Sequence, residues 1–565
     1  MIEEPGKSFY FEIHHSLFAI RSSTRSILIF LNNKKMRILL INPYYPISET
    51  PSPPLGLAYL ASVLIEAGAE VEILDLVVVP YSRSMLQTTI ERFRPRIAGI
   101  TAVTMTFDKA IKVIKDVKQI NSNILTVMGG PHVSFCARET LDTYPELDVI
   151  ALGEGERTIV ELSCAINTGR NWKDVDGIAY RRGKQIWFSK KRQPIEDLDD
   201  LPVPARHLLP LGRYRALGMP VTLTTSRGCP FKCIFCVGRK MVGAKVRYRS
   251  PGKIVDEMEY LSTLNFHQIN IADDLFTANE NHCLAVCDEI IKRDLKLRWT
   301  SFARVDTVTE TVLTKMKAAG CSAVSFGIES ANRQILKTIK KGITPEQVVA
   351  AVDMCRKSGI TPHASFILGL PGETPATIKE SMDFGEQLKK LGLSFGFHLL
   401  APFPGTEVRE QSDQYGIEIL TNDWSQYHAN RAIVQTPAVN RQMLDKIVIE
   451  WEDEFNQLLA DIKQRMQRQD ASEEEEQQVT NLERIVLVYD LMMKGAIEQN
   501  GSWHHEGRPP STGDSLKILS NRINPMIDAE PMLLYATLDQ VLKQGCLNYT
   551  EKDGTIQWHW VDYLE

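Results

Sequence analysis

Strand and helix patterns alternate twice along this chain, first through residues 36–165 and again through residues 218–405. In the first stretch, short apolar runs suited to buried strands are separated by helical stretches such as 55–68 and 108–119. This alternation predicts a parallel, doubly wound α/β sheet, because parallel neighbours need a crossover connection between them. The expected strands are Ile38–Ile41, Val71–Leu74, Ile97–Val103, Ile124–Met128 and Val149–Leu152.

The loops that follow these strands share an unusual composition. In a doubly wound sheet, ligands bind beyond the carboxyl ends of the strands, and glycine allows a ligand to approach the backbone closely. Any one of these loops could be a tight turn between strand and helix, but four of them at one edge favour a large shared ligand. The loops are Asn42–Pro46 with Pro53–Gly56, Thr101–Thr106, Gly129–His132 and Gly153–Glu156.

The second stretch repeats the unit of strand then helix six times. One of its helices begins after Ser250, with Pro251 at the first helical position, which is a favoured helix start. Six such units predict a partial version of the eight-stranded barrel, with its chemistry at the carboxyl ends of the strands. The expected strands are Val221–Thr225, Gln268–Ala272, Arg298–Ala303, Ala323–Ile328, His363–Leu368 and Ser394–Leu400.

Three cysteines, Cys229, Cys233 and Cys236, lie in the loop directly after the first barrel strand. Such a loop can wrap three thiolates around a four-iron cluster and leave one iron without a protein ligand, and an open position on a metal is typical of catalysis. A structural zinc site is the alternative, but no second Cys-x2-Cys or nearby histidine completes it. Cys283 and Cys287, four apart on a predicted helix, are interpreted as core residues.

Polar side chains gather at the ends of the other barrel strands. A lone carboxylate after a strand is commonly a helix cap, and that explanation fits Asp274 or Glu373 taken singly. Together, these residues lie on the face that carries the cysteines, which favours a shared ligand. They are Asp273 and Asp274 after the second strand, Arg304 after the third, Glu329 and Ser330 at the fourth, and Phe366–Glu373 at the fifth.

Composition excludes several classes of protein. A net charge of −5 and the lack of a basic stripe predict no nucleic-acid partner. Ten cysteines in 565 residues are too few for a disulfide scaffold and suit a reducing cytoplasm. No run is long and apolar enough to predict a transmembrane segment.

The remaining segments suggest structural roles. Residues 1–35 lack a periodic pattern, and we interpret them as an extension translated from a start codon upstream of the natural one; a targeting peptide is the alternative, which its glutamates disfavour. A hairpin is expected over 176–188, a proline-punctuated linker over 197–204, and helices with a terminal hairpin after residue 410. The expected divisions are 1–35, an extension; 36–165, the first sheet; 166–215, a hairpin and linker; 216–410, the barrel; and 411–565, a mostly helical region.

The first sheet resembles the cobalamin-binding domain found upstream of many radical SAM enzymes, through Pro-Pro-Leu-Gly, Gly-Gly-Pro-His and Gly-Glu-Gly-Glu. The Asp-x-His-x-x-Gly motif of proteins that ligate cobalt through histidine is absent, so the resemblance implies a cofactor whose own base is displaced with no histidine in its place. His132 would then be a loop contact. The implied cobalamin-binding residues are Pro54, Leu55, Gly56, Thr101, Thr104, Thr106, Gly129, Gly130, His132, Gly153, Glu154 and Gly155.

Residues 218–405 resemble the radical SAM superfamily, through Cys-x3-Cys-x2-Cys with an aromatic residue before the last cysteine. This implies a [4Fe-4S] cluster on Cys229, Cys233 and Cys236, with S-adenosylmethionine (SAM) on the open iron. Two departures are visible: Ala272-Asp-Asp replaces the usual Gly-Gly-Glu, and Ser365 or Phe366 stands where the family has a glycine. The implied SAM-binding residues are Phe235, Asp273, Arg304, Glu329, Ser330, Ile367 and Gly369.

The combined resemblance is to cobalamin-dependent radical SAM methyltransferases. It implies that a 5′-deoxyadenosyl radical removes hydrogen from an unactivated carbon and that methylcobalamin supplies a methyl group, with two SAM consumed per methylation. It also implies a reductant such as flavodoxin or ferredoxin, and leaves open whether the substrate is a small molecule, a lipid or a peptide. No catalytic residue beyond the cofactor ligands is predicted. The alternatives are a cyclase or rearrangement enzyme without methyl transfer, resembling the tetrapyrrole cyclase, and a non-catalytic cobalamin sensor.

Overall fold

The computed structural model describes residues 35–44, 51–266, 268–428 and 430–564. Residues 1–34 of the predicted extension, and the end of the Asn42–Pro46 loop, lie outside the described residues. The first sheet contains β1 (Arg37–Asn42), β2 (Glu70–Asp75), β3 (Ile97–Thr101), β4 (Leu125–Gly129), β5 (Val149–Ala151), β6 (Ile178–Arg182) and β7 (Gln185–Phe188). Its helices are α1 (Leu55–Glu66), α2 (Arg83–Phe93), α3 (Phe107–Ile120), α4 (Pro131–Thr143) and α5 (Glu156–Thr168).

The first five strands are parallel and lie in the order β2-β1-β3-β4-β5. Helices α1 and α5 pack on one face through Leu57 and Leu162, and α2, α3 and α4 pack on the other through residues such as Ile90 and Ile114. Both faces are buried, which explains why the strands are almost continuously apolar. The predicted doubly wound sheet is therefore confirmed.

The predicted hairpin exists as β6 and β7, but it is part of the first sheet. Strand β6 pairs antiparallel with β5, with Val149 opposite Tyr180, and β7 forms the outer edge. Without the hairpin, β5 would present a row of unpaired backbone groups at the edge of the sheet. From the sequence alone the hairpin is predicted to be part of a connector, because the residues of a hairpin do not reveal which other strand they pair with.

Helix α6 (Leu211–Ala216) joins the first sheet to the rest of the chain. The Tyr214 hydroxyl donates a 2.8 Å hydrogen bond to Asp75 at the end of β2. Arg213 donates to the Val78 carbonyl and to Asp562 near the described end of the chain. A Cβ on Gly212 would lie 1.7 Å from the Val561 carbonyl oxygen, so this position requires glycine.

The second sheet has six parallel strands in the order β15-β14-β13-β12-β11-β8. Consecutive strands are neighbours, as in a βα barrel that has not closed, so the predicted six-unit partial barrel is confirmed. The strands of this region, including a small ribbon, are β8 (Val221–Leu223), β9 (Ser226–Arg227), β10 (Arg247–Tyr248), β11 (Ile269–Ile271), β12 (Trp299–Ala303), β13 (Cys321–Glu329), β14 (Thr361–Leu368) and β15 (Ser394–Leu399). Its helices are α7 (Gly238–Val242), α8 (Pro251–Thr263), α9 (Glu280–Lys292), α10 (Glu310–Ala318), α11 (Arg333–Thr338), α12 (Pro345–Ser358), α13 (Pro375–Lys389) and α14 (Glu407–Glu410).

The C-terminal region is mostly helical and ends in a small antiparallel sheet of order β18-β20-β19. The terminal hairpin is confirmed, with its turn at Asp553–Gly554. No helix within the described ranges is long and apolar enough to cross a membrane. The elements are β16 (Glu418–Ile419), β17 (Val434–Gln435), α15 (Arg441–Gln467), α16 (Glu473–Met493), α17 (Ala496–Asn500), β18 (Ser502–His504), α18 (Thr512–Ile523), α19 (Pro531–Lys543), β19 (Leu547–Lys552) and β20 (Thr555–Trp560).

The starts of two helices show how their first turns are held. Ser250 occupies the cap position of α8, but its hydroxyl makes no capping hydrogen bond; its N–H instead donates to the Asp199 carboxylate. The acidic run after Ser472 is the first turn of α16, and Ser472 and Glu475 form a capping box there. Acidic side chains are favourable there because the N-terminus of a helix carries partial positive charge.

Candidate active site

The cysteine loop leaves β8 and is closed at its base by a two-stranded ribbon, β9 and β10. Cys229 and Cys233 are half-buried, and Cys236 is exposed. The Gly238 N–H donates a 3.3 Å hydrogen bond to Cys236 Sγ, a contact that stabilises a thiolate. Burial raises the pKa of the Cys233 thiol, and the nearby positive charges of Lys341 and Arg304 oppose that shift.

A four-iron cluster and a zinc ion differ in what they require of their thiolate ligands. One zinc ion needs all of its ligands at about 2.3 Å from a single point, whereas the thiolates of a four-iron cluster bind different irons and stand further apart. In the described part of the chain, no three His, Cys, Asp or Glu side chains are close enough to hold a single metal ion. Three thiol side chains in one loop are the ligand type that a [4Fe-4S] cluster requires, and their assignment to the cluster stays a prediction.

Asp273 holds the end of β8 at the start of the cysteine loop. Its carboxylate accepts hydrogen bonds from the Thr225 N–H and hydroxyl and from the Ser226 hydroxyl. Burial raises the pKa of Asp273, and these hydrogen bonds oppose the shift. Asp274 accepts from the Gly228 N–H at 3.2 Å, so both carboxylates support the cysteine loop and neither caps a helix. Both oxygens of Asp273 already accept hydrogen bonds from the protein. Binding of SAM by Asp273 therefore stays a prediction.

Glu329 ends β13 in the left-handed region, with φ of 69°. Its Oε1 lies 2.7 Å from Lys341 Nζ in a buried ion pair. A Cβ on Gly327 would lie 2.4 Å from Glu329 Oε1, so the glycine makes room for the folded-back carboxylate. The next residue, Ser330, is buried, and its hydroxyl lies 3.2 Å from Ser381 Oγ on α13. The structure thus gives Ser330 a partner outside the predicted SAM-binding set.

Arg304 contacts the cysteine loop directly. Its guanidinium stacks on the Phe231 ring at 3.6 Å from the centroid, donates to both oxygens of Asp306 and donates at 2.7 Å to the Lys341 carbonyl. The same Lys341 pairs with Glu329, so these side chains form one network beside Cys233. The network places two of the predicted SAM-binding residues, Arg304 and Glu329, next to the cluster loop.

The end of β14 and the turn after it contain Ile367 and Gly369, two more of the predicted SAM-binding residues. Gly369 has φ of 85°, and a Cβ there would lie 3.1 Å from Leu444 of α15, so the C-terminal region packs onto this turn. Glu373 accepts hydrogen bonds from the N–H groups of Gly369 and Leu370. It is therefore not a helix cap, and Thr374 caps α13 instead. Ile367, like Phe235 in the cysteine loop, is partly buried against the core.

Glu373 gives a pH-dependent prediction. Burial raises its pKa to about 7 from an ordinary 4.5, despite two N–H donors, and its Oε1 has no hydrogen-bond partner. Because the folded protein favours the protonated carboxyl, the free energy of unfolding falls as pH rises from 4.5 to about 7. The total loss is on the order of 3 kcal/mol. Glu373→Gln keeps an acceptor for both N–H groups and does not titrate.

We therefore expect the melting temperature of Glu373→Gln to exceed that of the wild type most above about pH 7, with a gap that narrows as pH falls towards about 4.5. Thermal unfolding of the two proteins between these limits tests this. Parallel melting curves across the range would contradict it.

The interior of the barrel contains two residues that the sequence reasoning missed. In β12, Trp299, Ser301 and Ala303 are buried under the helices, whereas Phe302 between them is 55% exposed. Side chains alternate across a strand, so Phe302 lies on the inner face of the open barrel. His398 on β15 is exposed and pairs in register with Ile367 on β14, on the same inner face. The alternation of each strand was a usable signal for both.

The carboxyl edge of the first sheet has a glycine-lined surface. A Cβ on Gly56 would meet nothing within 4 Å, and one on Gly129 would meet nothing nearer than 3.9 Å. Gly130 has φ of 107° and packs on the Ala102 carbonyl. Thr101 pairs with Gly129 at this edge, while Pro54, Leu55 and Gly56 form the start of α1. The open glycine edge fits a large flat ligand such as cobalamin.

Three predicted cobalamin contacts are enclosed by protein. His132 is only 1% exposed; it lies 3.3 Å from Thr104 Oγ1 and packs against Phe107 and Trp424. Burial and the charge of Arg409 lower the pKa of His132 to about 4. Thr104 is buried with it, and the Thr106 hydroxyl bonds to the Val103 backbone. These three side chains pack inside the loops that follow β3 and β4. The burial of His132 agrees with the absence of the motif in which a histidine ligates cobalt.

The Gly153–Glu156 loop carries two carboxylates that pair with arginines of the cysteine-loop ribbon. Glu154 accepts from Arg247 at 2.7 and 3.1 Å and from the Ile195 N–H at 2.9 Å. Glu156 pairs with Arg227 at 2.7 Å. Burial opposes ionisation of Glu154, but Arg247, Ile195 N–H and Arg227 outweigh it and lower its pKa. The Glu154 carboxylate is thus occupied by Arg247 and the Ile195 N–H, so its predicted contact to cobalamin stays a prediction.

The carboxyl edges of the two sheets meet at this loop. A Cβ on Gly153 would lie 4.0 Å from the Met241 carbonyl of α7, and one on Gly405 would overlap the Phe135 ring of α4. Lys240 Nζ donates to the Gly405 carbonyl at 2.7 Å. The glycine-lined edge and the cysteine loop therefore lie side by side.

This fold and site define a radical SAM enzyme with a cobalamin-binding domain. Residues 223–385 match the radical SAM superfamily, and residues 48–163 match the B12 binding domain. The chain is 36% identical over 423 residues to a protein of Pyrococcus horikoshii named "Uncharacterized methyltransferase PH0819", covering 74% of this chain and 91% of that protein. The chain belongs to the family of cobalamin-dependent radical SAM enzymes, whose cofactors are a [4Fe-4S] cluster, SAM and cobalamin.

Other relatives carry different activities in their names. The chain is 31% identical over 432 residues to the anaerobic magnesium-protoporphyrin IX monomethyl ester cyclase of Rubrivivax gelatinosus, covering 73% of this chain and 76% of that enzyme. Among solved structures, the cobalamin-dependent radical enzyme OxsB superposes with a TM-score of 0.65 at 18% identity, over 90% of this chain and 84% of OxsB. The methyltransferase TsrM of Kitasatospora setae superposes with a TM-score of 0.60 at 21% identity, over 73% and 84%. The structural likeness supports the fold of both cofactor domains.

Proposed function

We propose that this enzyme methylates an unactivated carbon of its substrate. The observation that carries the proposal is the meeting of the two carboxyl edges, where the cysteine loop lies beside the glycine-lined edge of the cobalamin domain. When bound, the cluster with SAM supplies a carbon radical that removes hydrogen, and cobalamin supplies the methyl group. The methyltransferase name of the relative that shares 36% identity supports this reaction.

The residues of the chain have distinct parts in this proposal. Cys229, Cys233 and Cys236 would hold the cluster, and Asp273 keeps their loop in place through Thr225 and Ser226. Arg304 and the Glu329–Lys341 pair stand beside Cys233 and would orient SAM. The inward-facing Phe302 and His398 would line the substrate volume of the open barrel. The C-terminal helix α15 packs onto Gly369 and would close this volume on one side.

Two further components complete the proposal. The cluster needs an electron from a reductant, and we propose flavodoxin or ferredoxin in the cytoplasm for this role. The substrate would be a small molecule, lipid or peptide able to enter the open barrel.

Cyclisation without methyl transfer is the second candidate. It is favoured by the 31% identity to a magnesium-protoporphyrin cyclase over 76% of that enzyme. The cofactor-side residues are compatible with either reaction, because both need a radical formed next to cobalamin. The two candidates differ in what happens to the methyl group of SAM.

Isotope labelling separates them. The reconstituted enzyme is incubated without oxygen with SAM deuterated in its methyl group and with cell extracts, and products are analysed by mass spectrometry. Methylation predicts a product that carries the label, together with S-adenosylhomocysteine and 5′-deoxyadenosine. Formation of 5′-deoxyadenosine and of an unlabelled product with two fewer hydrogens would favour cyclisation instead.

A further inference from the structure

Four charged residues connect the cobalamin domain to the base of the cysteine loop. Glu154 and Glu156 come from the loop after β5, and Arg227 and Arg247 come from the ribbon β9–β10. Arg227 also lies 3.5 Å from Glu154, so the two pairs share one network. We call these four residues the interdomain joint.

The joint is shielded from water. The side chains of Arg247, Glu156, Glu154 and Arg227 are 4%, 8%, 9% and 15% exposed, respectively. The ring of Tyr59, on α1 of the cobalamin domain, lies 5.3 Å from the Arg227 guanidinium. Ion pairs in such surroundings are screened little by solvent and depend strongly on geometry. The joint can therefore specify a relative position of the two domains in a way that surface ion pairs cannot.

The ribbon depends on the carboxylates of the other domain. Arg227 and Arg247 lie directly opposite each other in the β9–β10 register, and like charges in such positions repel. Arg247 also donates to the Ile195 and Val242 carbonyls, but only the two glutamates supply neutralising charge in this network. Because Arg227 is two residues from Cys229, these ion pairs join the Gly153–Glu156 loop to the base of the cluster loop.

We propose that the interdomain joint sets the distance and orientation between the cobalamin and the iron–sulfur cluster. Its residues are positioning residues, since they act through the backbone of the two loops. The inference goes beyond the proposed function and holds equally for methylation and cyclisation, because both reactions require the two cofactors at a defined separation.

Pulsed electron paramagnetic resonance measures this separation without substrate. The reduced cluster and cob(II)alamin each carry an unpaired electron, and their dipolar coupling reports the distance distribution between them. In Glu154→Gln/Glu156→Gln, the repulsion between the arginines is no longer neutralised. We expect a broader distribution with a longer mean distance than in the wild type, at equal cluster and cobalamin content.

A matched control removes an ion pair that joins α5 of the cobalamin domain to the segment after the β6–β7 hairpin and does not involve the barrel. Glu161 pairs with Arg192 through two hydrogen bonds, and Glu161→Gln should leave the distribution unchanged. If the double variant does not take up both cofactors, the single variant Glu156→Gln keeps the Glu154–Arg247 pair and should broaden the distribution less. The double variant Arg227→Glu/Glu156→Arg exchanges the two charges and restores the pair. Its distance distribution should be narrower than that of Glu156→Gln. A distribution in the cofactor-loaded glutamine variants that matches the wild type would overturn the proposal.

Discussion

Replacement of Cys229, Cys233 or Cys236 by serine should abolish reductive cleavage of SAM. Each cysteine would bind a separate iron, so losing one leaves the cluster short of a ligand. We expect the rate of 5′-deoxyadenosine formation to fall by at least about a thousandfold, equivalent to about 4 kcal/mol of activation free energy. The measurement is 5′-deoxyadenosine formed under reducing, oxygen-free conditions, together with the iron and sulfide bound per chain.

The matched control for this experiment is Cys164→Ser. Cys164 is a half-buried cysteine on α5 of the cobalamin domain, remote in sequence from the cluster loop. Its replacement should leave both iron content and 5′-deoxyadenosine formation at the level of the wild type. Near-normal SAM cleavage in any of the three cluster-loop variants would remove the basis for the cluster assignment.

Replacement of Gly130 by alanine should disrupt the cobalamin edge and leave the cluster loop intact. Gly130 has φ of 107°, and a Cβ there would lie 2.5 Å from the Ala102 carbonyl oxygen and 3.0 Å from the Ala102 nitrogen. The backbone conformation alone costs on the order of 1–3 kcal/mol for a residue other than glycine, and the overlap with rigid backbone adds to it. We expect a lower melting temperature of the cofactor-free protein and loss of cobalamin binding.

The neighbouring glycine provides the control. A Cβ on Gly129 would lie 3.9 Å from the nearest atoms of Ala151, so Gly129→Ala should not lower the melting temperature. Cobalamin binding, followed by visible absorbance after gel filtration, is compared with the wild type well below both melting temperatures, and Gly129→Ala serves as the control for stability alone. If Gly130→Ala melts at the same temperature as Gly129→Ala, the close packing of Gly130 on Ala102 is not the constraint inferred here.

The positions of the main strands along the chain could be predicted from the sequence because their signals are local. Ile38–Ile41 and His363–Leu368 were recognised as buried strands from a few adjacent residues, and the structure extends each by one or two positions. The signal of the cysteine loop is equally local, because its three cysteines lie within eight consecutive residues. Such features depend on neighbours in sequence and need no knowledge of the fold.

Contacts between distant segments could not be predicted in the same way. Glu156 meets Arg227 from 71 positions away, and Glu154 meets Arg247 from 93 positions away. Glycines around Glu154 suggested a ligand loop, and nothing local revealed that its carboxylate pairs with an arginine of the other domain. The same limit applies to the hairpin β6–β7, whose pairing with β5 depends on which sheet edge is free.

Partly local signals gave an incomplete picture of two segments. His132 follows a glycine pair at a strand end, which suggested a cofactor contact, but Phe107 and Trp424 enclose its ring. Trp424 lies in the C-terminal region, nearly three hundred positions later in the chain, so the enclosure is a tertiary effect. The acidic run after Ser472 does carry a capping-box pattern, and that signal was available in the sequence.

Oxygen-free reconstitution with iron, sulfide and hydroxocobalamin tests most directly whether one chain joins a SAM-cleaving cluster to cobalamin. After removal of unbound cofactors, the fold predicts one [4Fe-4S] cluster and one cobalamin on the same chain, and reductant-dependent conversion of SAM to 5′-deoxyadenosine and methionine. A protein that binds only one of the two cofactors, or that holds both and leaves SAM intact, would contradict the assignment.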